Sequence, residues 1–442
     1  MTLLADAPAV PADALTRLPV VVIGAGPVGL AAAAHLLARG IEPLVLERGH
    51  HAGAAISAWG HTRLFSPWKH VTDAASVRLL AETGWTPQHP DAMPTGHDLV
   101  THYLRPLAAT PALRDRIRYG VTVDAVSRLG MDKTRSTGRA DAPFVVRTHD
   151  GEELRARAVI DASGTFTTPN PVIASGFRPR HPDRVAAHLT HGLPDVLGHD
   201  RARFAGAHTV VVGAGHSAAN TLLALARLAE REPGTRISWI IRTATPARVY
   251  GDASDELHGR ASLGAATREL VTSGQVELFD GVLIDDVEPA DGDRVTIVGT
   301  RAGETVRLDA DTVVVATGFR PDLDLLREVR LGLDEIVEAP TRLAPLIDPN
   351  LHSCGTVPPH GVDELSHPEP GFWIAGMKSY GRAPTFLLLT GYEQVRSIAD
   401  EIAGHRDAAR RIDLVLPETG VCSTGEPSTE LAATAGAGSC CS

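Results

Sequence analysis

The chain contains two stretches with the same order of apolar and polar positions: a continuous apolar run, a glycine-rich turn, and a segment rich in alanine and leucine. In the first stretch, residues 19–23 predict a buried parallel strand, residues 28–39 a helix and residues 44–46 a second strand. The second stretch predicts the same three elements, at residues 210–212, 217–228 and 237–241. We therefore expect two βαβ units.

Shorter apolar segments follow each unit. After the first, residues 121–129 and 144–148 predict antiparallel strands, and residues 158–160 predict a buried strand. After the second, we expect an antiparallel layer and then a buried strand, at residues 276–279, 282–287, 295–298 and 313–316. Near the end, residues 372–375 predict another buried strand, and residues 384–403 predict a long helix with Pro384 at its start.

This order predicts an α/β fold of two three-layer, Rossmann-like dinucleotide-binding domains, the second inserted into the first. We call them the outer and the inserted domain. The predicted boundaries are a flexible N-terminus (1–18), the first segment of the outer domain (19–170), the inserted domain (171–319), the second segment of the outer domain (320–416), and a disordered tail that carries cysteines (417–442).

Composition narrows the class of protein. The 442 residues include 42 Lys and Arg against 53 Asp and Glu, a net charge of −11, so the overall field attracts neither nucleic acid nor an anionic membrane. No apolar run is long enough to predict a transmembrane helix, and residues 1–18 lack the features of a signal peptide. We therefore expect a cytoplasmic protein.

The first glycine turn, Gly24-Ala25-Gly26-Pro27-Val28-Gly29, fits the G-x-G-x-x-G pattern between a predicted strand and a predicted helix. Such glycines let the backbone approach a pyrophosphate at a helix N-terminus. Glu47 ends the next predicted strand, where a carboxylate can accept hydrogen bonds from ribose hydroxyls. Together these features predict an ADP-bearing cofactor.

The second turn, residues 213–218, fits the G-x-G-x-x-A variant. Arg242, in place of an acid, follows its second strand, which favours the 2′-phosphate of NADPH; a solvated charge is the alternative. His216 is expected either to touch cofactor phosphates or to cap the loop. Two different sites predict a bound flavin and a diffusing nicotinamide, with hydride passing between them.

Residues 19–405 resemble the flavoproteins with two dinucleotide-binding domains. The resemblance rests on the motifs above and on two further segments, Asp161-Ala162-Ser163-Gly164 and Ala316-Thr317-Gly318-Phe319-Arg320-Pro321. Residues 19–405 are most similar to class B flavin monooxygenases and FAD-dependent pyridine nucleotide oxidoreductases. The predicted FAD contacts are Gly24, Gly26, Pro27, Gly29, Glu47, Arg48, Trp59, Arg63, Ser163, Gly164, Gly376, Met377 and Thr385. The predicted NADPH contacts are Gly213, Gly215, His216, Ser217, Ala218, Arg242, Thr317 and Gly318.

The sequence also departs from these families. The monooxygenase fingerprint F-x-G-x-x-x-H-x-x-x-W is incomplete near Phe204, and Met377 follows Gly376 where disulfide reductases carry aspartate. No C-x-x-C or C-x-x-x-x-C pair occurs, which argues against a typical disulfide reductase. The use of molecular oxygen is therefore implied only by the resemblance.

Residues 352–365 and 376–386, together with the tail, are similar to flavoproteins encoded in bacterial arsenic-resistance operons. This resemblance implies a metalloid-linked function. Cys422, Cys440 and Cys441 lie in the tail, and Cys354 lies between His352 and His360. The tail thiols are expected to bind a soft metal or metalloid, to relay electrons to or from the flavin, or to be incidental.

Several other residues have two interpretations. Trp59 and Trp68 are each expected either to stack on a cofactor ring or to belong to the core. Lys378 and Arg382 are candidate catalytic cations near the flavin or members of surface salt bridges. Asp161 is interpreted as a turn-forming residue.

The sequence thus predicts an FAD-dependent oxidoreductase that takes hydride from NADPH, similar to flavin monooxygenases, with a small-molecule or metalloid substrate and molecular oxygen as a possible acceptor. One alternative is an NADPH-dependent reductase of thiol or metalloid–thiol acceptors that uses the tail cysteines. Another is a metalloid-binding flavoprotein with little turnover.

Overall fold

The computed structural model describes residues 15–250, 258–349, 357–384 and 386–414. Thr385, the segment up to residue 14 and the tail from residue 415 lie outside the described residues. The same holds for the four cysteines Cys354, Cys422, Cys440 and Cys441, and for His352. The predictions made for these residues stay predictions.

The described strands are β1 (Val20–Ile23), β2 (Pro43–Glu47), β3 (Ile117–Tyr119), β4 (Val123–Arg128), β5 (Phe144–Thr148), β6 (Glu153–Ala156), β7 (Ala158–Asp161), β8 (Leu189–His191), β9 (His208–Val212), β10 (Arg236–Ile240), β11 (Glu277–Phe279), β12 (Val282–Ala290), β13 (Arg294–Arg301), β14 (Glu304–Ala310), β15 (Thr312–Val315) and β16 (Phe372–Ile374). The described helices of eight or more residues are α1 (Pro27–Leu37), α2 (Ala74–Ala81), α3 (His216–Ala229), α4 (His258–Thr272) and α5 (Leu388–Ile402).

The sheet of the outer domain is parallel, with strand order β16-β7-β1-β2-β3. Its central strand β1 is fully buried, which explains its unbroken apolar sequence. β7 and β16 lie on opposite sides of the inserted domain in the sequence, yet they pair, with Ile160 beside Trp373. The predicted insertion of one dinucleotide-binding domain into another is therefore confirmed.

The sheet of the inserted domain is also parallel, with order β11-β10-β9-β15-β8. The assignment of residues 276–279 to an antiparallel layer was wrong, because Glu277 of β11 pairs in parallel with Ser238 of β10. A short apolar run does not reveal the direction of its neighbour. The edge strands β3 and β8 were not predicted, since neither IRY nor LTH has an apolar pattern.

Each domain carries a three-stranded antiparallel sheet, β4-β5-β6 in the outer domain and β12-β13-β14 in the inserted domain. Their last strands, β6 and β14, were not predicted, because most of their side chains face solvent and are polar. These two sheets cover one face of the parallel sheets, where buried apolar residues such as Val146 and Ile297 pack.

The helix predicted from Pro384 begins at Leu388 instead. The preceding segment forms a 3-10 turn over Gly376–Tyr380, and Leu387 is extended. This extended approach brings Phe386 against the ring of Tyr380 at 5.1 Å. Tertiary packing therefore decides where the helix begins, and Pro384 lies before it.

Two chain segments connect the domains and run antiparallel to each other. Pro169 and Phe319 form an isolated bridge, and the amide of Asn170 donates to the carbonyl of Gly318 at 2.9 Å. The rings of Phe166 and Phe319 pack beside them, with centroids 5.1 Å apart. Within the residues that the structure describes, no helix is both long and apolar enough to cross a membrane.

Candidate functional site

The first glycine turn lies at the carboxyl end of β1. Gly24 has a φ of +101°, and a Cβ atom there would lie 2.8 Å from the carbonyl oxygen of Ala162. A Cβ on Gly29 would lie 1.9 Å from the carbonyl oxygen of Gly24. Gly26, the N-cap of α1, has no atom within 4 Å of its Cβ position. The turn is therefore closed toward the protein at Gly24 and Gly29 and open at Gly26.

Glu47 holds this turn against the end of β2. Its carboxylate accepts hydrogen bonds from the amides of Ala25 and Gly49, each at 2.7 Å. A carboxylate oxygen has more than one lone pair, so each oxygen can also accept a ribose hydroxyl. Glu47 thus stabilises the turn in addition to the role predicted for it, while the neighbouring Arg48 is exposed.

The Asp161–Gly164 turn forms another wall at the same sheet edge. Asp161 Oδ1 accepts from the amide of Ser163 at 3.1 Å and from its hydroxyl at 2.6 Å, which supports the interpretation of Asp161 as turn-forming. Gly164 has a φ of +73° and no atom within 4 Å of its Cβ position. Gly26 and Gly164 are thus both open at this edge.

Lys378 belongs to the turn after β16, and its side chain is completely buried. Its ammonium donates to Asp161 Oδ2 at 2.7 Å and to Ser163 Oγ at 3.1 Å. The surface salt bridge considered for Lys378 is therefore wrong. The enclosed ammonium does not reach solvent, so the free chain does not offer Lys378 as a catalytic group to a substrate. Arg382 is exposed, and its amide donates to the carbonyl of Val337 at 2.7 Å.

A second buried network supports the turn from the other side. The amide of Gly376 donates to Gln394 Oε1 at 2.8 Å, and Gln394 Nε2 reaches Ser379 Oγ at 3.0 Å and His360 Nε2 at 2.9 Å. Since the carbonyl of Pro358 can only accept, His360 carries its proton on Nδ1. Burial lowers the pKa of His360. The sequence did not predict this network, because a glutamine in a helix usually faces water.

Trp59, Arg63 and Trp68, which follow the first βαβ unit, contact other residues of the outer domain. Trp68 is buried in the core of the outer domain, and Trp59 packs beside that core against Gly96. Arg63 Nη1 donates to the carbonyl of Met93 at 2.5 Å. The structure therefore supports the core interpretation of both tryptophans, and the cofactor contacts of Trp59 and Arg63 stay predictions.

The second glycine turn repeats the construction of the first. Gly213 has a φ of +132°, and a Cβ atom there would lie 2.2 Å from the carbonyl oxygen of Ala316. Gly215 is the N-cap of α3 and has no atom within 4 Å of its Cβ position. Ala218 is fully buried beneath the turn, and Trp239 Nε1 donates to the carbonyl of Gly213 at 2.8 Å.

The remaining residues predicted for NADPH lie around this turn. Arg242 follows the end of β10 and is exposed. The ring of His216 lies 4.9 Å from that of Phe65, a residue of the outer domain. Thr317 Oγ1 donates to the carbonyl of Asn170 at 2.9 Å, and Gly318 has a φ of +84°. Thr317 and Gly318 therefore belong to the connection between the domains.

A cavity of about 440 Å³ lies between the two domains. The outer domain lines it with Ser57, Ala58, Gly60, His61 and His97, and the inserted domain with Asp195, His199 and Asp200. His199 Nδ1 lies 2.9 Å from Asp200 Oδ1, and this hydrogen bond raises the pKa of His199. The sequence did not indicate this site, because its residues are far apart in the chain and follow no motif.

The cavity is polar, and it is not a preformed metal centre. Among the residues that the structure describes, no group of three or more His, Cys, Asp or Glu side chains is arranged to hold a metal ion. Its lining suits a small ligand that hydrogen-bonds to imidazole and carboxylate groups. The metal-binding role predicted for the tail cysteines concerns residues outside the described ranges.

The family described as pyridine nucleotide-disulphide oxidoreductase matches residues 21–353. Flavin-containing monooxygenase ustF1 of Aspergillus flavus is 29% identical over 192 residues, which are 40% of this chain and 44% of that protein. Indole-3-pyruvate monooxygenase YUCCA1 of Oryza sativa subsp. japonica is 29% identical over 240 residues, which are 52% of this chain and 50% of that protein. The matched region thus spans about half the length of these curated relatives.

The fold is also similar to that of a solved structure, bacillithiol disulfide reductase Bdr from Bacillus cereus. The TM-score is 0.61 at 20% identity, over 88% of this chain and 99% of that chain. At this identity, the likeness concerns the arrangement of two dinucleotide-binding domains.

Proposed function

The chain belongs to the pyridine nucleotide-disulphide oxidoreductase family, and from this premise we propose that it is an NADPH-dependent FAD oxidoreductase similar to flavin monooxygenases. Members of this family are FAD-binding flavoenzymes that use NADPH. The observation that carries the proposal is the pair of glycine turns at Gly24 and Gly213, which share one construction but differ in the charged residue near the end of the next strand. Glu47 follows the first turn, and Arg242 the second.

The outer domain fits FAD. The open positions at Gly26 and Gly164 leave room for the backbone to approach a pyrophosphate, and the N-terminus of α1 provides amide donors and a favourable dipole. Glu47 would accept hydrogen bonds from the ribose, while Ser163 and Gly376 would line the flavin end. When bound, FAD supplies the redox chemistry by accepting hydride and passing electrons to an acceptor.

The inserted domain fits NADPH. Gly215, at the N-terminus of α3, leaves the same open space for the pyrophosphate as Gly26 does in the outer domain. Arg242 is exposed next to the end of β10, where its guanidinium can bind a 2′-phosphate in a bidentate manner. An acid at that position would repel this phosphate, so we propose NADPH over NADH as the donor.

The acceptor would bind in the cavity between the domains. Its imidazole and carboxylate groups favour a small polar molecule, and molecular oxygen is the acceptor expected of a monooxygenase. A link to metalloid resistance is supported by the sequence resemblance of residues 352–365 and 376–386 and by the tail cysteines.

The test begins with the purified chain and FAD. We expect a yellow protein whose flavin absorbance is bleached rapidly by NADPH, and more slowly by NADH, in an anaerobic stopped-flow instrument. Admission of oxygen should restore the absorbance, and a substrate should accelerate NADPH consumption. A chain that binds no FAD would contradict the proposed cofactor, and equally fast reduction by both nucleotides would contradict the proposed donor.

A second candidate is a reductase of thiol or metalloid–thiol acceptors. It is favoured by the three cysteines Cys422, Cys440 and Cys441, whose thiols suit a disulfide or a thiophilic metalloid. In that case the flavin, once reduced by NADPH, would be reoxidised faster by an added disulfide or arsenical than by oxygen. Replacement of Cys440 and Cys441 by serine would then abolish the acceptor reaction and leave reduction by NADPH unchanged.

A further inference from the structure

A buried ion pair, Asp161 and Lys378, lies behind the Asp161–Gly164 turn at the proposed FAD site. We propose that Asp161 and Lys378 act as a positioning pair, which fixes the Gly376–Tyr380 turn beside Ser163 and in which each charge balances the effect of the other on the reduction potential of the bound flavin. The inference rests on the proposed function, because it requires FAD at this edge of the sheet.

The pair joins two segments that are remote in sequence. Asp161 is the last residue of β7, and its carbonyl accepts from the amide of Ala375 at 2.9 Å, so β7 and the segment after β16 already lie side by side. The ammonium of Lys378, three residues after Ala375, donates to Asp161 Oδ2 at 2.7 Å. Ser163 completes the triangle, since its hydroxyl donates to Asp161 and accepts from Lys378.

The pair also lies close to the glycine turn of the outer domain. Ser163, which touches both charged groups, has its Cα 3.1 Å from the position that a Cβ on Gly24 would take. Both charged side chains are 0% exposed. Charges at such a site are screened weakly by water, so each acts on the cofactor with a strength that a surface charge lacks.

The two charges should influence the flavin in opposite directions. Reduction adds negative charge to the flavin, so a nearby cation raises the reduction potential and a nearby anion lowers it. In the intact pair the two effects largely cancel. Lys378→Met, which leaves the carboxylate, should lower the potential relative to the native protein. Asp161→Asn, which leaves the ammonium, should raise it.

A purely structural pair would behave differently. Removal of either partner would then reduce stability and FAD content, but it would shift the potential in no particular direction. A suitable control is Glu369→Gln, because Glu369 forms buried ion pairs with Arg128 at 2.8 Å and with Arg139 at 2.7 Å. Glu369 lies before the start of β16, whereas Lys378 lies after its end. This variant should lose stability without a change in flavin potential.

The experiment is a spectroscopic redox titration of the FAD-loaded variants Lys378→Met, Lys378→Arg, Asp161→Asn and the double variant D161N/K378M. An unpaired buried group neutralises when its pKa passes the solution pH. Asp161→Asn is therefore titrated at mildly acidic pH and Lys378→Met at mildly alkaline pH, each against the native protein at the same pH. The double variant buries no charge and should fold even if a single variant does not.

We expect shifts of opposite sign for the two single variants, a small shift for the double variant, and a near-native potential for Lys378→Arg. Shifts of the same sign, or potentials equal to that of the native protein in variants that bind FAD, would overturn the inference. If the double variant alone folds, its potential is compared with that of the native protein. A shift no larger than the shift of Glu369→Gln supports the inference that the two charges cancel, and a larger shift contradicts it. Failure of the native chain to bind FAD would instead contradict the proposed function.

Discussion

Gly213 and Ala316 lie so close that a Cβ atom on the glycine would stand 2.2 Å from the alanine carbonyl oxygen. Gly24 and Ala162 stand in the same relation in the outer domain, at 2.8 Å. The glycine turns after β1 and β9 thus each pack against the chain that follows the neighbouring parallel strand, β7 and β15 respectively. This contact closes each turn toward the protein, while the second glycine of each motif, Gly26 or Gly215, has open space at its Cβ position.

The open glycine of the inserted domain provides a test of the NADPH site. Gly215 has a φ of −115° and no atom within 4 Å of its Cβ position, so Gly215→Ala should fold normally. The added methyl group would, however, fill the space where the pyrophosphate approaches the backbone. We expect unchanged FAD content and thermal stability, and a loss of at least tenfold in the rate of flavin reduction at low NADPH concentration.

The matched control for this variant is Gly40→Ala, which lies beyond α1 and also has no atom near its Cβ position. Its φ of +68° makes it less stable than Gly215→Ala, but NADPH reduction should be native. Stopped-flow reduction and thermal melting of the three proteins provide the comparison. Native reduction kinetics in Gly215→Ala would exclude this turn as the NADPH site.

Arg242 is expected to select NADPH over NADH. A hydrogen bond to a charged group contributes about 1.5–3 kcal/mol, so Arg242→Ala should raise the KM for NADPH by roughly 10- to 150-fold. The KM for NADH should change little, because NADH lacks the 2′-phosphate. Steady-state kinetics with both nucleotides measure this, with Arg114→Ala, an exposed arginine of the outer domain, as the control. An equal rise in KM for both nucleotides would show that Arg242 does not bind the 2′-phosphate.

The sequence predicted the central strands and turns of both domains because these elements obey short-range rules. The buried parallel strand β1 is a continuous apolar run and β9 ends in one, Val210–Val212, and the glycine turns follow them directly. Edge strands such as β8 were not predicted, since β8 has only three residues and two of them, Thr190 and His191, are polar. The direction of β11 depends on β10, which no local pattern encodes.

In the candidate site, only the residues that belong to sequence motifs could be predicted from the sequence. Lys378 was predicted to lie near the flavin, but its partner Asp161 lies more than two hundred residues earlier, and only the pairing of β7 with β16 brings the two together. The histidines of the interdomain cavity were missed for the same reason. His97 and His199 become neighbours of one cavity through the placement of one domain against the other.

The stability of the protein should fall in mild acid because of His367. Burial lowers the pKa of this residue from 6.5 to about 4, so the folded protein keeps the ring neutral while the unfolded chain binds a proton. The resulting stabilisation is present above pH 6.5 and is lost as the pH falls towards 4, to a total of about 3 kcal/mol. Chemical denaturation between these pH values should show this decline.

His367→Asn should make the decline shallower, because an asparagine oxygen can still accept the hydrogen bond that Gly332 donates to Nδ1 at 3.3 Å and does not titrate. His149→Asn is the control, since the side chain of His149 is 80% exposed. A native slope of stability against pH in His367→Asn would show that other groups cause the acid sensitivity.

The interdomain cavity should serve the acceptor and not the electron donor. Ser57 lines it from the outer domain and is exposed, so Ser57→Trp should fold and fill a portion of its 440 Å³. We expect reduction of the flavin by NADPH to keep its native rate under anaerobic conditions, while substrate-stimulated NADPH consumption falls at least tenfold. Ser175→Trp, at an exposed position of the inserted domain outside the cavity lining, controls for the added surface tryptophan. If Ser57→Trp slowed both half-reactions equally, the cavity would belong to the nucleotide path; if it slowed neither, the acceptor would bind elsewhere.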